Sequence, residues 1–399
     1  MTARRVLLIL VTGGALLAAV MVAGGYNVSA AAGHWRVVAA ILHLTMHNSV
    51  TVRASGPVPD DLESDARALA GAGHYELVCR DCHGAPGVPL TAVARSLEPP
   101  PPHILEAVRR WPPEELFWIV KHGIKMTAMP AWPSPHRDDE VWSLVAFLLR
   151  LPAMAPNTYL EMVSGAQSTP REAPAASEFD AELARCARCH GYDGLGFNAA
   201  GLPRLDVHSP AYLENSLRAF AEGARASGIM QAHASVVPHR HFPALARHYG
   251  ESGDSLLVER WPERSGEGDE RARGERIARE GLPHRRVPAC AACHGPAPFR
   301  RAEAYPVLAG QPQRYLETQL RLFRDGHRGG SAYAAIMSLA AKGLEDPDIS
   351  AVADYYAGFD VRDQEIAPTD QEIAPTDQEI GPADQEIAPT DREVAPTDR

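Results

Sequence analysis

The six cysteines of this 399-residue chain fall in three short stretches, "VCRDCHG" at 78–84, "RCARCHG" at 185–191 and "ACAACHG" at 289–295. In each, two thiols stand three positions apart and a histidine follows the second: Cys79, Cys82 and His83; Cys186, Cys189 and His190; Cys290, Cys293 and His294. Zinc asks for four ligands at once, and three widely separated pairs do not combine into such sites. A thioredoxin-like pair belongs at a strand-to-helix junction, and nothing strand-like precedes these motifs. Structural disulfides suit an exported protein but leave the histidines without a reason. Covalent attachment of haem c accounts for all three residues of each motif. Two thiols add to the vinyl groups along one porphyrin edge, one helical turn sets their spacing, and the imidazole behind them reaches the iron. Three covalently bound haem c groups are therefore expected, with His83, His190 and His294 as iron ligands.

The opposite face of each iron decides between chemistry and transport. A five-coordinate haem binds small molecules; a six-coordinate one mainly passes electrons. Met129 in "GIKMTAMPAW", Met230 and Met337 lie 40–46 residues beyond their proximal histidines, just ahead of the last helix of each segment. Met126 is the alternative to Met129, but the Met-Pro pair at 129–130 makes a stiff turn that can present a sulfur. Nitrogen ligands are the rival: His122, His233, His239, His241 and His327 are close by in sequence, and His233 is three residues past Met230. One methionine alone would more often be core filler. Three at equivalent places point to ligation. No other catalytic constellation stands out, so a carrier is expected rather than an enzyme.

The elements that must position these residues repeat along the chain. A first domain, 56–160, opens with a helix in "DDLESDARALAGAGHYELVC", continues through the loop "LEPPPPHI" and closes with "RDDEVWSLVAFLLRLP", acidic at its start and ended by Pro152. The linker 161–171 is part of a Pro-, Ala- and Ser-rich run. Domains at 172–262 and 263–361 are copies: "GLPRLDVHSPAYLENSLRAFAEGARASGIM" answers "AYPVLAGQPQRYLETQLRLFRDGHRGGSAYAAIM". Each has Pro-x-Leu after the motif, then Tyr-Leu-Glu opening a helix, then a methionine. The expected fold class is all-α, with three tandem haem domains.

Residues 1–55 precede these domains. Arg4 and Arg5 are followed by an uncharged run from Val6 to Gly25, near the ~20 residues a spanning helix needs. "SAAAG" at 29–33 would suit signal cleavage. The favoured reading is an uncleaved transmembrane anchor with its basic end in the cytoplasm, the bulk of the chain standing on the periplasmic side of a bacterial inner membrane. Residues 34–54 have two readings, a stretch lying along the membrane surface or, as favoured, a connector packed on the first domain. The tail, 362–399, repeats "DQEIAPT"; a proline every seventh residue forbids a continuous helix. From Asp363 onward it carries a net −9 of the chain's −11, and it is expected to be disordered, acting as a solubilising tail or docking on a basic partner. No nucleic-acid partner is expected.

The order amphipathic helix, Cys-x-x-Cys-His, Pro-bearing loop, distal Met and closing helix resembles class I cytochrome c. The second and third domains look like the two halves of the diheme cytochrome c4 family. The third fits nearly throughout, whereas the second departs at "MQAHASVVPHRHFPALARHYG". The first is similar to single-haem c-type domains found beside respiratory complexes. What the resemblance implies is electron transfer at raised potential, as His/Met ligation favours ferrous iron. In the cytochrome c4 family the two haems face each other across a domain interface. The main expectation is a membrane-anchored triheme cytochrome in a periplasmic respiratory chain. Its donor would be a partner such as a quinol-oxidising complex, and its acceptor a terminal oxidase. The second is the haem subunit of a membrane-bound dehydrogenase. The third, a cytochrome peroxidase, needs an open haem, against which the three methionines speak.

Overall fold

The structure, a computed structural model, describes residues 2–164, 177–250, 269–295 and 304–359. Helix α1 (Ala3–Val22) has a mean hydropathy of 2.3 and buries none of its residues, so it is long and apolar enough to cross a membrane. Helix α2 (Arg36–Arg53) differs from the packed connector expected there. Only Val50 is buried, while Val37, Ile41 and Leu44 are exposed. Packing is confined to its later turns, where His47 meets Trp111. The apolar residues of α2 spread around the helix, and only its C-terminal end reaches the rest of the chain.

In the first segment, α3 (Asp65–His74) starts later than the acidic run suggested. Residues 59–64 turn instead, with Leu62 N bonded to Pro59 O and Ser64 N to Asp61 O. Ser64 then accepts from Arg67 N at 3.2 Å, which satisfies one of the unpaired amides of the first helical turn. After His74 the backbone loosens into a π-helical turn, Tyr75–Cys79, and tightens again over Arg80–His83. Helices α4 (Pro113–His122), α5 (Asp138–Arg150) and α6 (Pro156–Ser164) complete the segment. α5 begins on three acidic residues, which suit the positive end of the helix dipole, and stops ahead of Pro152 as expected. α3 crosses α5 at Gly71, where a Cβ would lie 2.4 Å from Ser143 O. Tyr75, Phe147, Leu151 and Tyr159 form the centre of the cluster beneath that crossing.

The second segment comprises α7 (Glu178–His190), α8 (Pro210–Ala221), α9 (Gly228–Ala234) and α10 (Phe242–Gly250), packed around Leu183, Phe242 and Leu245. The third comprises α11 (Asp269–Glu280), a single turn at Ala291–His294, α12 (Gln313–Arg324), α13 (Ala334–Ala341) and α14 (Asp346–Ala357). Its core gathers Ile277, Ile349, Val352 and Tyr356. The two Tyr-Leu-Glu runs lie in the first turns of α8 and α12, as the repeat required. Met230 and Met337 sit inside α9 and α13, not at the end of a loop.

The protein is all-helical among the described residues; the extended pairings there are isolated bridges such as Phe197 with Leu202. The described residues belong to one compact unit. The acidic tail and most of the expected linker lie outside the described residues. So do residues 251–268, around the boundary expected between the second and third domains.

Candidate haem sites

Each Cys-x-x-Cys-His stretch ends a helix or forms a short one, and in two of the three the next residue is a glycine in the left-handed region, Gly84 at φ 68° and Gly191 at φ 73°. The chain turns away there at no Cβ cost. A tyrosine hydroxyl fixes each turn: Tyr75 donates to Gly84 O at 2.5 Å and Tyr249 to Gly191 O at 3.1 Å. All six thiols are free. Burial pushes Cys79, Cys186 and Cys290 up to about 12 and Cys189 to about 11, so these sulfurs are held as thiols.

The three histidines share one further partner that sequence reasoning missed. His83 Nδ1 donates to Pro102 O at 3.0 Å, His190 Nδ1 to Pro203 O at 3.1 Å, and His294 Nδ1 to Pro306 O at 2.9 Å. A carbonyl can only accept, so the proton is on Nδ1 and the lone pair is on Nε2. That is the tautomer an iron ligand needs, with its ring orientation already set. Burial lowers the proton affinity of all three rings, which keeps them neutral. The signal was in the sequence: Pro203 and Pro306 are the prolines of the repeated Pro-x-Leu, and Pro102 ends the four-proline run.

Met230 lines one cavity with Cys186, Cys189 and His190; Met337 lines another with Cys290, Cys293 and His294. Met129 and Cys79 pack against the same apolar cluster of the first segment. Met126 is 74% exposed with a left-handed backbone at φ 60°, turned away from that cluster. Among the nitrogen rivals, His122, His239 and His327 are exposed, and His241 approaches Glu178 at 3.8 Å. His233 does line the second cavity, and its Nε2 is buried without a hydrogen-bond partner. Its ring packs edge-on to His74 of the first segment at 5.4 Å.

The two cavities meet at a cationic seam that the sequence reading also passed over. Arg225 donates to Ser216 Oγ at 2.8 Å and to Tyr315 Oη at 3.0 Å, and it stacks over Phe220. Arg328 stacks over Phe323 and is held down to about 10 by burial and by Arg225. Tyrosine hydroxyls, not carboxylates, face both guanidiniums. A buried cation and a half-buried one side by side call for an anion, and both line the cavity that holds Cys290 and His294. The carboxylate side chains of a haem would supply that charge. The residues present therefore fit the cofactor: paired thiols, a presented imidazole, a sulfur in the same cavity, and cations for the propionates. The signal here was the repeat itself, since "AEGAR" and "RDGHR" place Arg225 and Arg328 at matching positions.

Helices crossing on glycine around a Cys-x-x-Cys-His turn define a class I c-type cytochrome, whose cofactor is covalently bound haem c. The family described as cytochrome c oxidase, cbb3-type, subunit III matches residues 66–148. A thiosulfate dehydrogenase electron acceptor of Thiomonas intermedia is 35% identical over 188 residues, 47% of this chain and 82% of that protein. Cytochrome c4 of Pseudomonas aeruginosa is 30% identical over 184 residues, 46% of this chain and 88% of that protein. The crystal structure of reduced cytochrome c4 from Pseudomonas stutzeri is 26% identical, covering 46% of this chain and all of that one at a TM-score of 0.38. The chain belongs to the c-type cytochromes, in the group that includes cytochrome c4. It is an electron-transfer protein rather than an enzyme.

Proposed function

We propose that the chain is a triheme electron carrier with haem domains at 56–160, 172–262 and 263–361, held at the periplasmic face of a membrane by α1. Haem c, when bound, supplies a one-electron ferric/ferrous couple. The chain supplies the rest. Cys79 and Cys82, Cys186 and Cys189, and Cys290 and Cys293 are the attachment points. His83, His190 and His294 present Nε2 to iron, and Met129, Met230 and Met337 complete the coordination with a thioether that favours the ferrous state. Arg225 and Arg328 offset the propionate charge where the second and third domains meet. The exposed apolar residues of α2 adjoin the spanning helix and suit a position at the membrane surface.

The observation that carries this reading is the threefold recurrence of an imidazole fixed through Nδ1 to a proline carbonyl behind a free thiol pair. A solvent-facing or structural histidine has no need of that tautomer at three separate places. Haem content against protein mass tests it: three haems per chain are expected, and two or fewer in fully matured protein would overturn it. Met129→Leu should also lower one haem potential or admit carbon monoxide at one site, while Met126→Leu does neither.

The partners follow from the two halves. The first domain matches a cbb3-type oxidase subunit, and among the relatives are proteins named thiosulfate dehydrogenase electron acceptors. Electrons are therefore taken up by the cytochrome c4-like pair from a periplasmic dehydrogenase and passed through the first domain towards a terminal oxidase. Mixing the reduced protein with membranes containing a cbb3-type oxidase, and the oxidised protein with a thiosulfate dehydrogenase and its substrate, separates acceptor from donor.

A further inference from the structure

Helix α9, which carries Met230, is only seven residues long, and its N-terminal amides are satisfied largely from another segment of the chain. Glu140, in the first turn of α5, is 5% exposed. Its Oε2 accepts from Gly228 N at 2.7 Å and Ile229 N at 3.3 Å; its Oε1 accepts from Ser227 Oγ at 2.5 Å. Ser227 Oγ in turn accepts from Met230 N at 2.9 Å. The first three amides of α9 thus end, directly or through one hydroxyl, on one carboxylate of the first segment. Arg137 pairs with Glu140 at 2.8 Å and donates to Ala226 O at 3.0 Å, and Trp132 Nε1 donates to Glu140 Oε2 at 3.2 Å.

Packing follows the same line. Gly228 lies against Trp132 so closely that a Cβ there would stand 2.1 Å from Nε1, and Ile229 packs on the apolar cluster of the first segment. Trp132 and Glu140 themselves follow Met129 in sequence, so the distal side of the first site grips the distal helix of the second.

We propose that Glu140 is a positioning residue for Met230, setting the sulfur over the second iron from a neighbouring domain. A short isolated helix is marginal by itself. The Ser227–Glu140–Arg137 contacts fix its start, and Met230 is in its first turn. Ligation at the second haem therefore depends on the first domain being docked. This inference rests on the assignment of Met230 made above.

The test uses the full-length, haem-loaded protein and four variants: Met230→Leu, Glu140→Ala, Glu140→Gln and Ser227→Ala. The readouts are haem per chain, the weak red absorption band of sulfur-ligated ferric haem, and carbon monoxide uptake by the ferrous protein. Met230→Leu and Glu140→Ala should each keep three haems, lose about one third of the red band and take up one carbon monoxide per chain. Glu140→Gln, which keeps an acceptor oxygen but loses the charge, should lose less. A role limited to gluing domains would lower the melting temperature and leave the band intact below it. Full retention of the band in Glu140→Ala, with its loss in Met230→Leu, overturns the inference. Retention in Met230→Leu overturns the ligand assignment instead. Should Glu140→Ala fail to mature, a full red band in both Ser227→Ala and Glu140→Gln overturns the inference equally.

Discussion

At the residue scale, His74 shows how docking makes an ordinary side chain sensitive to acid. It is 3% exposed, packed between Trp132 at 4.9 Å and His233 at 5.4 Å, and its Nδ1 has no hydrogen-bond partner. Burial first, and then the neighbouring His233, lower its proton affinity from 6.5 to about 3. The folded chain thus holds His74 neutral where the unfolded chain protonates it. The stability this group confers is complete above about pH 6.5 and is lost as the pH falls towards 3. By about pH 5 the loss is on the order of 2 kcal/mol. His74→Phe keeps an aromatic ring on Trp132 and removes the titrating group, so its denaturant midpoint should change less than the parent's between pH 7 and pH 5. An equal decline in both proteins would show that other groups govern the acid limb. Nothing in the sequence marked His74, because the rings that bury it, Trp132 and His233 of α9, are both distant along the chain. The thiols, the histidines behind them and the three methionines could be singled out as candidates because their chemistry is local or repeats at a fixed offset. The carbonyls of Pro102, Pro203 and Pro306 were half-legible, as prolines whose role could not be read without the fold.

At the element scale, the helices were legible where acidic starts, proline stops and the internal repeat agreed. The crossings were not, because a glycine in a helix says nothing about which backbone will lie against it. Gly274 is the clearest case. A Cβ there would sit 2.1 Å from Ala351 O and 2.9 Å from Tyr355 Cβ, at the crossing of α11 with α14. Neither contact is the free end of a flexible side chain, so any substitution must part the two helices. Gly274→Ala should cost about 2–3 kcal/mol, more than the helix propensity of alanine returns. Thermal melts of the haem-loaded variant would measure it, and an unchanged or raised midpoint would mean the crossing relaxes without loss. Short α9 was misjudged for a related reason. From sequence Met230 reads as the end of a loop, and only the carboxylate of Glu140 shows why a helix starts at Gly228.

At the scale of the whole molecule, the interface between the second and third segments is built from the loops that hold the proximal histidines. Gln311 is 1% exposed; its Nε2 donates to Arg204 O at 2.9 Å, and its Oε1 accepts from Arg204 N at 3.1 Å. Val307 N donates to His208 Nδ1 at 3.3 Å. Pro203 and Pro306 are next to Arg204 and Val307, so the loops that fix the two imidazoles also join the two segments. On the other side, the second segment meets the first through Glu140 and through Gly73, whose Cβ would stand 2.8 Å from Cys189 Sγ. The second segment is therefore in contact with both neighbours, which under the proposed triheme reading makes it the middle of a three-step path. If electrons enter at the cytochrome c4-like pair and leave by the first domain, lesions at the two ends must act on different half-reactions. Met337→Leu lowers the potential or opens the third site, so it should slow reduction by a dehydrogenase partner and leave the first reoxidation by oxidase-containing membranes unchanged. Met129→Leu should do the reverse. Stopped-flow traces of each half-reaction, taken at matched haem content, decide the point. If both variants slow the same half-reaction, electrons enter and leave through one domain, and the path through the middle site is not the working route.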